Sequence, residues 1–189
     1  MGISKETIVK TSIEILNLNG IDHLTTRKLA KELNIKSASL YWHMKNMQDL
    51  YGFIAEQICS EVVIACDVSN PKEYLYEVHK EFRAKLLGLR DSVAVFIRST
   101  PNTPHRVEII RRVLECLLQL GIKEKNCITA ANLLNNYVLS FVADELRFKT
   151  ASPEKMKDLN ILFGIRHTDD FDEQFLYGLK VLLVGFEKV

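Results

Sequence analysis

Apolar residues recur at helical spacing along almost the whole 189-residue chain, and no strand-like alternation of useful length interrupts them. Ile8, Val9, Ile13 and Leu16 predict a helix over about residues 4–18, with Ser4 as its cap and Gly20 as its stop. Leu29, Ala30 and Leu33 predict a short second helix opening at Thr25 or Thr26 and leaving through a left-handed Asn34. Ser37 is expected to cap a third helix reaching about His43. Asn46 with Asp49 three residues later marks the start of a long fourth helix toward Cys66. Asn70-Pro71 and Thr103-Pro104 each place a cap residue before a proline at a first helical position. The spacing then gives helices near 71–90, 92–99, 104–120 and 124–148, a polar irregular interval over 150–168, and a last helix from about Asp170. In that last helix Phe175, Leu179, Leu182 and Phe186 lie four, three and four residues apart. The fold class is therefore all-α: three short helices, a long connecting helix and a larger helical body. The expected division is 1–47 and 48–189.

The stretch TTRKLAKELNIKSASLYWHMKN, residues 25–46, holds the most specific signal. Two short helices joined by a tight turn have the shape of a DNA-reading helix-turn-helix, whose second helix enters the major groove. Ser37, Ala38 and Ser39 are small and would let that helix end come close to DNA, where its N–H groups favour phosphate. Leu40 would face inward against Leu29 and Leu33. Tyr41, Trp42 and His43 could offer donors to phosphates, and Arg27 suits a bidentate contact to guanine. On pattern alone a second reading stands beside this one: Tyr41, Trp42 and His43 as a boundary cluster of a helical core.

Composition narrows the classes. The hydrophobic fraction, 47%, supports a real core. No apolar run approaches the roughly 18 residues of a membrane span, and the N-terminus has no signal-like apolar stretch. The four cysteines, Cys59, Cys66, Cys116 and Cys127, form no C-x-x-C pair and are expected to be reduced thiols of a cytoplasmic protein. Residues 1–50 hold seven Lys/Arg and five Asp/Glu, while the remainder nets −1. That mild asymmetry permits a nucleic-acid-binding end. His23, His79, His105 and His167 are isolated, and read as surface or hydrogen-bonded histidines. None of the G-x-S-x-G, H-E-x-x-H, P-loop or glycine-rich dinucleotide patterns occurs, so an enzyme is not expected.

The segment GIDHLTTRKLAKELNIKSASLYWHMKNMQDL resembles the DNA-binding domain of the tetracycline-repressor (TetR) family of bacterial transcription regulators, densely over about residues 5–55. FRAKLLGLRDSVAVFIRSTP (82–101) and FDEQFLYGLKVLLVGFE (171–187) extend the likeness to the tetracycline-repressor branch itself. The resemblance implies a homodimer with an N-terminal reading head and a C-terminal ligand-binding body, joined through the last two long helices, about 124–148 and 170–187. It implies DNA contacts at Thr26, Arg27, Ser37, Ala38, Ser39, Tyr41, Trp42, His43 and Lys45. Met47 departs from the Lys common at its position, which removes one phosphate contact.

Members of the tetracycline branch bind their drug as a magnesium chelate. The two imidazoles important there align with Val63 and Phe96, and the polar clamps with Val78 and Val113. Val and Phe supply no donor to an octahedral magnesium, and Asp144, which matches an acid near the metal, makes a thin site alone. The resemblance therefore implies a small, apolar effector other than tetracycline–magnesium, no metal and no cofactor. The implied lining is Val63, Val78, Phe82, Phe96 and Val113, with Ser99 and Asn132 as polar points; the alternative is a filled core. The expected activity is that of a repressor bound to a near-palindromic operator and released by its effector, without a membrane partner. An activator or protein-interaction variant of the same fold, and a helical enzyme, are the competing readings.

Overall fold

A computed structural model describes residues 3–150, 170–186 and 188. Among these residues the regular structure is helical: α1 (Lys5–Asn19), a 3-10 turn (Ile21–His23), α2 (Thr26–Glu32), α3 (Ser37–Leu40), α4 (Met47–Ser60), α5 (Pro71–Leu87), α6 (Ser92–Arg98), α7 (Pro104–Gln119), α8 (Glu124–Thr150) and α9 (Phe171–Phe186). The expected irregular interval and His167 lie almost wholly outside the described residues. No helix among the described residues is long and apolar enough to cross a membrane.

The local signals act where their residue types require. Ser4 Oγ accepts from Thr7 N at 3.2 Å, and Thr25 Oγ1 accepts from Lys28 N at 3.1 Å. Asn34, at φ 52°, ends α2 in a left-handed turn, with Ile35 N bonded to Ala30 O and Asn34 N to Lys31 O. Asn46 Oδ1 accepts from Asp49 N at 3.0 Å while Asp49 Oδ2 accepts from Lys45 N at 2.7 Å, so α4 opens on a reciprocal cap. Three expectations are corrected. Lys36, not Ser37, precedes α3, which stops at Leu40 and leaves Tyr41–His43 in a turn. α4 ends at Ser60, so Val63 falls in a loop. Thr103 does not cap α7: its hydroxyl is buried beside the Glu56 carboxylate, and that carboxylate, not the hydroxyl, accepts from His105 N at 3.1 and 3.2 Å.

Contacts divide the chain into two compact units, 1–65 with 84–112 and 66–83 with 113–189. This division does not coincide with a boundary at residue 47. In the first unit α1, α2 and α3 form the head around Ile8, Leu16, Leu29, Leu40 and Met44, all buried, and α4 contacts both α1 and α6. The loop before α6 bonds to the end of α1. Asp91 Oδ2 accepts from Ile21 N at 2.7 Å, Asn17 Oδ1 accepts from Arg90 N at 3.2 Å, and Arg90 Nη1 donates to Leu18 O at 3.3 Å. Gly20 sits in this junction at φ 83°, where an added Cβ would lie 3.0 Å from both Arg90 Nη2 and Asp91 Oδ2, so only glycine fits.

In the second unit α9 packs on α8. Phe175, Leu179 and Leu183 are buried, whereas Leu182 and Phe186 line an open groove with Leu133 and Val181. The stripe Phe175/Leu179/Leu182/Phe186 thus splits into two faces. Arg83 lies under the Phe141 and Phe175 rings, 5.4 and 5.0 Å from their centres. Its Nε and Nη2 meet Glu145 Oε2 at 2.9 and 2.8 Å, and its Nη1 meets Asp172 Oδ1 at 2.6 Å.

Candidate nucleic-acid interface and effector residues

The α2–turn–α3 hairpin forms because α2 presents only Leu29 and Ala30 fully inward and α3 only Leu40. The remaining side chains of α3 and its following turn are thereby left outward or at the edge. Ser37, Ala38 and Lys45 are exposed, and Ser39, His43 and Thr26 are half-buried. Tyr41 is 57% exposed and Trp42 91% exposed. That exposure removes the core-cluster reading, because a core indole would be covered. An indole in open water is uncommon in a folded chain unless a partner covers it. Arg27 is exposed and has no ion-pair partner among the described residues, whereas Lys28 is held by Glu32 at 2.8 Å. Lys36, absent from the expected contacts, is likewise exposed at the entrance to α3. With a single turn of helix, α3 has little dipole of its own, which weakens the expected attraction of its N-terminus for phosphate.

The residues expected to line an effector site fall in both units. In the first unit Phe96 and Ser99 are buried, on and just after α6, while Val63 is 75% exposed in its loop. In the second, Val78, Phe82 and Val113 are buried and Asn132 is exposed. The exposure of Val63 and Asn132 follows from the early end of α4 and from Asn132 facing outward on α8. Asp144 is paired with Arg147 at 3.1 Å. Among the described residues no three His, Cys, Asp or Glu side chains converge as a metal site. Burial pushes the Cys59 and Cys116 thiols up, to about 12 and about 11, which keeps them protonated and unreactive near neutrality. His79 is a buried histidine bonded through Nδ1 to Leu75 O at 2.6 Å. His105 Nδ1 meets Glu56 Oε1 at 2.7 Å.

Comparison with known proteins joins these features. Residues 8–52 match the model of bacterial regulatory proteins of the tetR family, and residues 70–189 match that of the tetracyclin repressor-like C-terminal domain. The class D tetracycline repressor protein of Escherichia coli is 28% identical, over 98% of this chain and 89% of its own length. Mycobacterium smegmatis BioQ, and BioQ solved with its double-stranded DNA operator, each superimpose with a TM-score of 0.79 at 26% identity over 98% of both chains. A single-substitution variant of TetR from Acinetobacter baumannii, solved with minocycline, superimposes with a TM-score of 0.76 at 26% identity, covering 98% of this chain and 97% of that one. A reading head with an outward Trp42, joined to a helical body that the second family model covers, places the chain in one family: it belongs to the TetR family of transcriptional regulators, ligand-responsive repressors that bind DNA.

Proposed function

We propose that this chain represses transcription by setting α3 and its following turn into the major groove, with Arg27 reading a guanine and Thr26, Ser37, Ala38, Ser39, Tyr41, Trp42, His43 and Lys45 fixing the register on phosphates. The observation that carries the reading is the 91% exposure of Trp42 in the turn after α3, with Arg27 and Lys45 also exposed. The operator complex of BioQ supports it by likeness. Two copies join through α8 and α9, where Leu133, Tyr177 and Val181 lie exposed, and present their heads to half-sites about 34 Å apart.

The effector is a small molecule other than tetracycline–magnesium, because Phe96 stands where that branch supplies a ligand to the metal. Its signal passes through α6. Phe96 and Ser99 lie at one end of that helix. Asp91, which bonds Ile21 of the head, and Thr100, whose Oγ1 accepts from Gln48 Nε2 at 3.0 Å, flank it. A ligand that favours a shifted α6 therefore favours a shifted head, and only differential affinity for that state releases DNA.

Trp42 is the sole tryptophan, so its fluorescence reports on the reading face itself. Titrating the protein with duplex DNA from its own upstream region should change Trp42 emission, more steeply than scrambled duplex does, and less so at higher salt. Equal, weak binding to both duplexes with unchanged emission would remove the reading.

A further inference from the structure

Arg106 lies in the first turn of α7 and is part-buried. Its Nη1 donates to Ser99 Oγ at 2.7 Å, and its guanidinium carbon stands 4.6 Å from the centre of the Phe96 ring. Ser99 is buried and its hydroxyl donates to Phe96 O at 3.0 Å, so its oxygen is what Arg106 receives. Nε and Nη2 of Arg106 have no partner among the described residues. On α4 the nearby Cys59 is a protonated thiol. Glu56, one turn before it, is already held by His105 through both Nδ1 and N. Glu108, two residues along α7, faces away and is shared by Arg111 and Arg112 at 2.8 and 2.7 Å. Arg106 thus has no carboxylate among the described residues. Burial pulls its pKa down, the opposite of what a paired acid does.

A half-hidden guanidinium with half its fork open, one neutral hydroxyl and an aromatic plane beneath it is an incomplete site. We infer that Arg106, with Ser99 and Phe96, binds the acidic group of the effector, and that the effector is a small monocarboxylic acid with an apolar body. The inference rests on the effector-responsive reading above and specifies its ligand class. The guanidinium fork matches a carboxylate bidentately, and a single open fork matches one carboxylate rather than two. The apolar body of the molecule matches the buried, apolar Phe96 and Cys59 side chains that neighbour the guanidinium.

The test compares the full-length protein with Arg106→Met and Arg106→Lys, using 1-naphthoic and decanoic acids and their primary amides as probes. Thermal unfolding and calorimetric titration are the readouts. The acids should raise the Tm of the unsubstituted protein and the amides should not. Arg106→Met should weaken acid binding by roughly tenfold or more, as expected for a charge-assisted hydrogen-bond pair. Arg106→Lys, which keeps charge without the fork, should recover part of it. Without ligand, Arg106→Met should shift the Tm only slightly, since the lost Ser99 hydrogen bond and Phe96 contact are offset by removal of a half-buried cation without a carboxylate. Acids and amides that bind alike, or no binding by any acid, would overturn the inference. Added to operator-bound protein, the same probes separate the levels: release by amide as readily as by acid removes the acid requirement and keeps the responsive repressor, whereas no operator binding at all removes the repressor reading.

Discussion

Arg83 in the second unit and the Arg27–Trp42 surface in the first are opposite solutions for polar and aromatic groups. Arg83 is buried between two aromatic rings, and every part of its fork is answered by Glu145 and Asp172. Arg27 and Trp42 are left in water, unanswered. The first arrangement closes a fold and the second leaves it open for a partner. Because the chain completes the fork of Arg83, the unanswered Arg27 and Trp42 mark a surface built for a partner.

The largest effect is expected where the closed region is opened. Arg83→Met should destabilise the protein by about 3 kcal/mol in urea unfolding, because it leaves Glu145, only 2% exposed, with Lys149 at 2.7 Å as its one remaining cation among the described residues. Adding Glu145→Leu should recover much of the loss; no recovery would mean that the rings, not the charges, hold α5, α8 and α9. A second test uses acid. Burial lowers the His79 pKa to about 4 from an ordinary 6.5, so the folded state holds the ring neutral. Its contribution is complete above pH 6.5 and is lost as pH falls from 6.5 toward 4, by roughly 3 kcal/mol in all. His79→Gln should flatten that part of the stability–pH curve, and an unchanged slope would count against a buried neutral ring.

The open region should answer differently. Arg27→Ala should cost about 1–3 kcal/mol of operator affinity and relax one base position. Unchanged affinity for every base variant would show that Arg27 reads nothing. The smallest effect belongs to Trp42→Ala, whose folding stability should stay within about 0.5 kcal/mol of the unsubstituted protein while DNA binding weakens. A large loss of stability would return Trp42 to the core.

Much of the head was legible because its signals are local. Thr25, Asn34 and the Asn46–Asp49 pair act on backbone groups within five residues, so the residue types alone locate α2, its exit and the start of α4. The length of α3 was not legible, since Tyr41, Trp42 and His43 carry no stop signal and the turn follows the burial of both Leu40 and Met44. The exposure of Val63 was hidden for a similar reason: helical spacing continues past Ser60, and the chain turns away regardless.

By itself the sequence determined the helix order, most of the caps, the reading hairpin and the family. Each is carried by spacing and side-chain type over a few residues. Tertiary structure alone decided which charges are answered. Asp91 reaches Ile21 across 70 positions, Arg83 reaches Glu145 across 62 and Asp172 across 89, and Glu56 caps α7 from 49 positions away. Whether a buried arginine is satisfied or waiting depends on those distant partners, because Coulomb attraction and desolvation depend on distance through space and not along the chain.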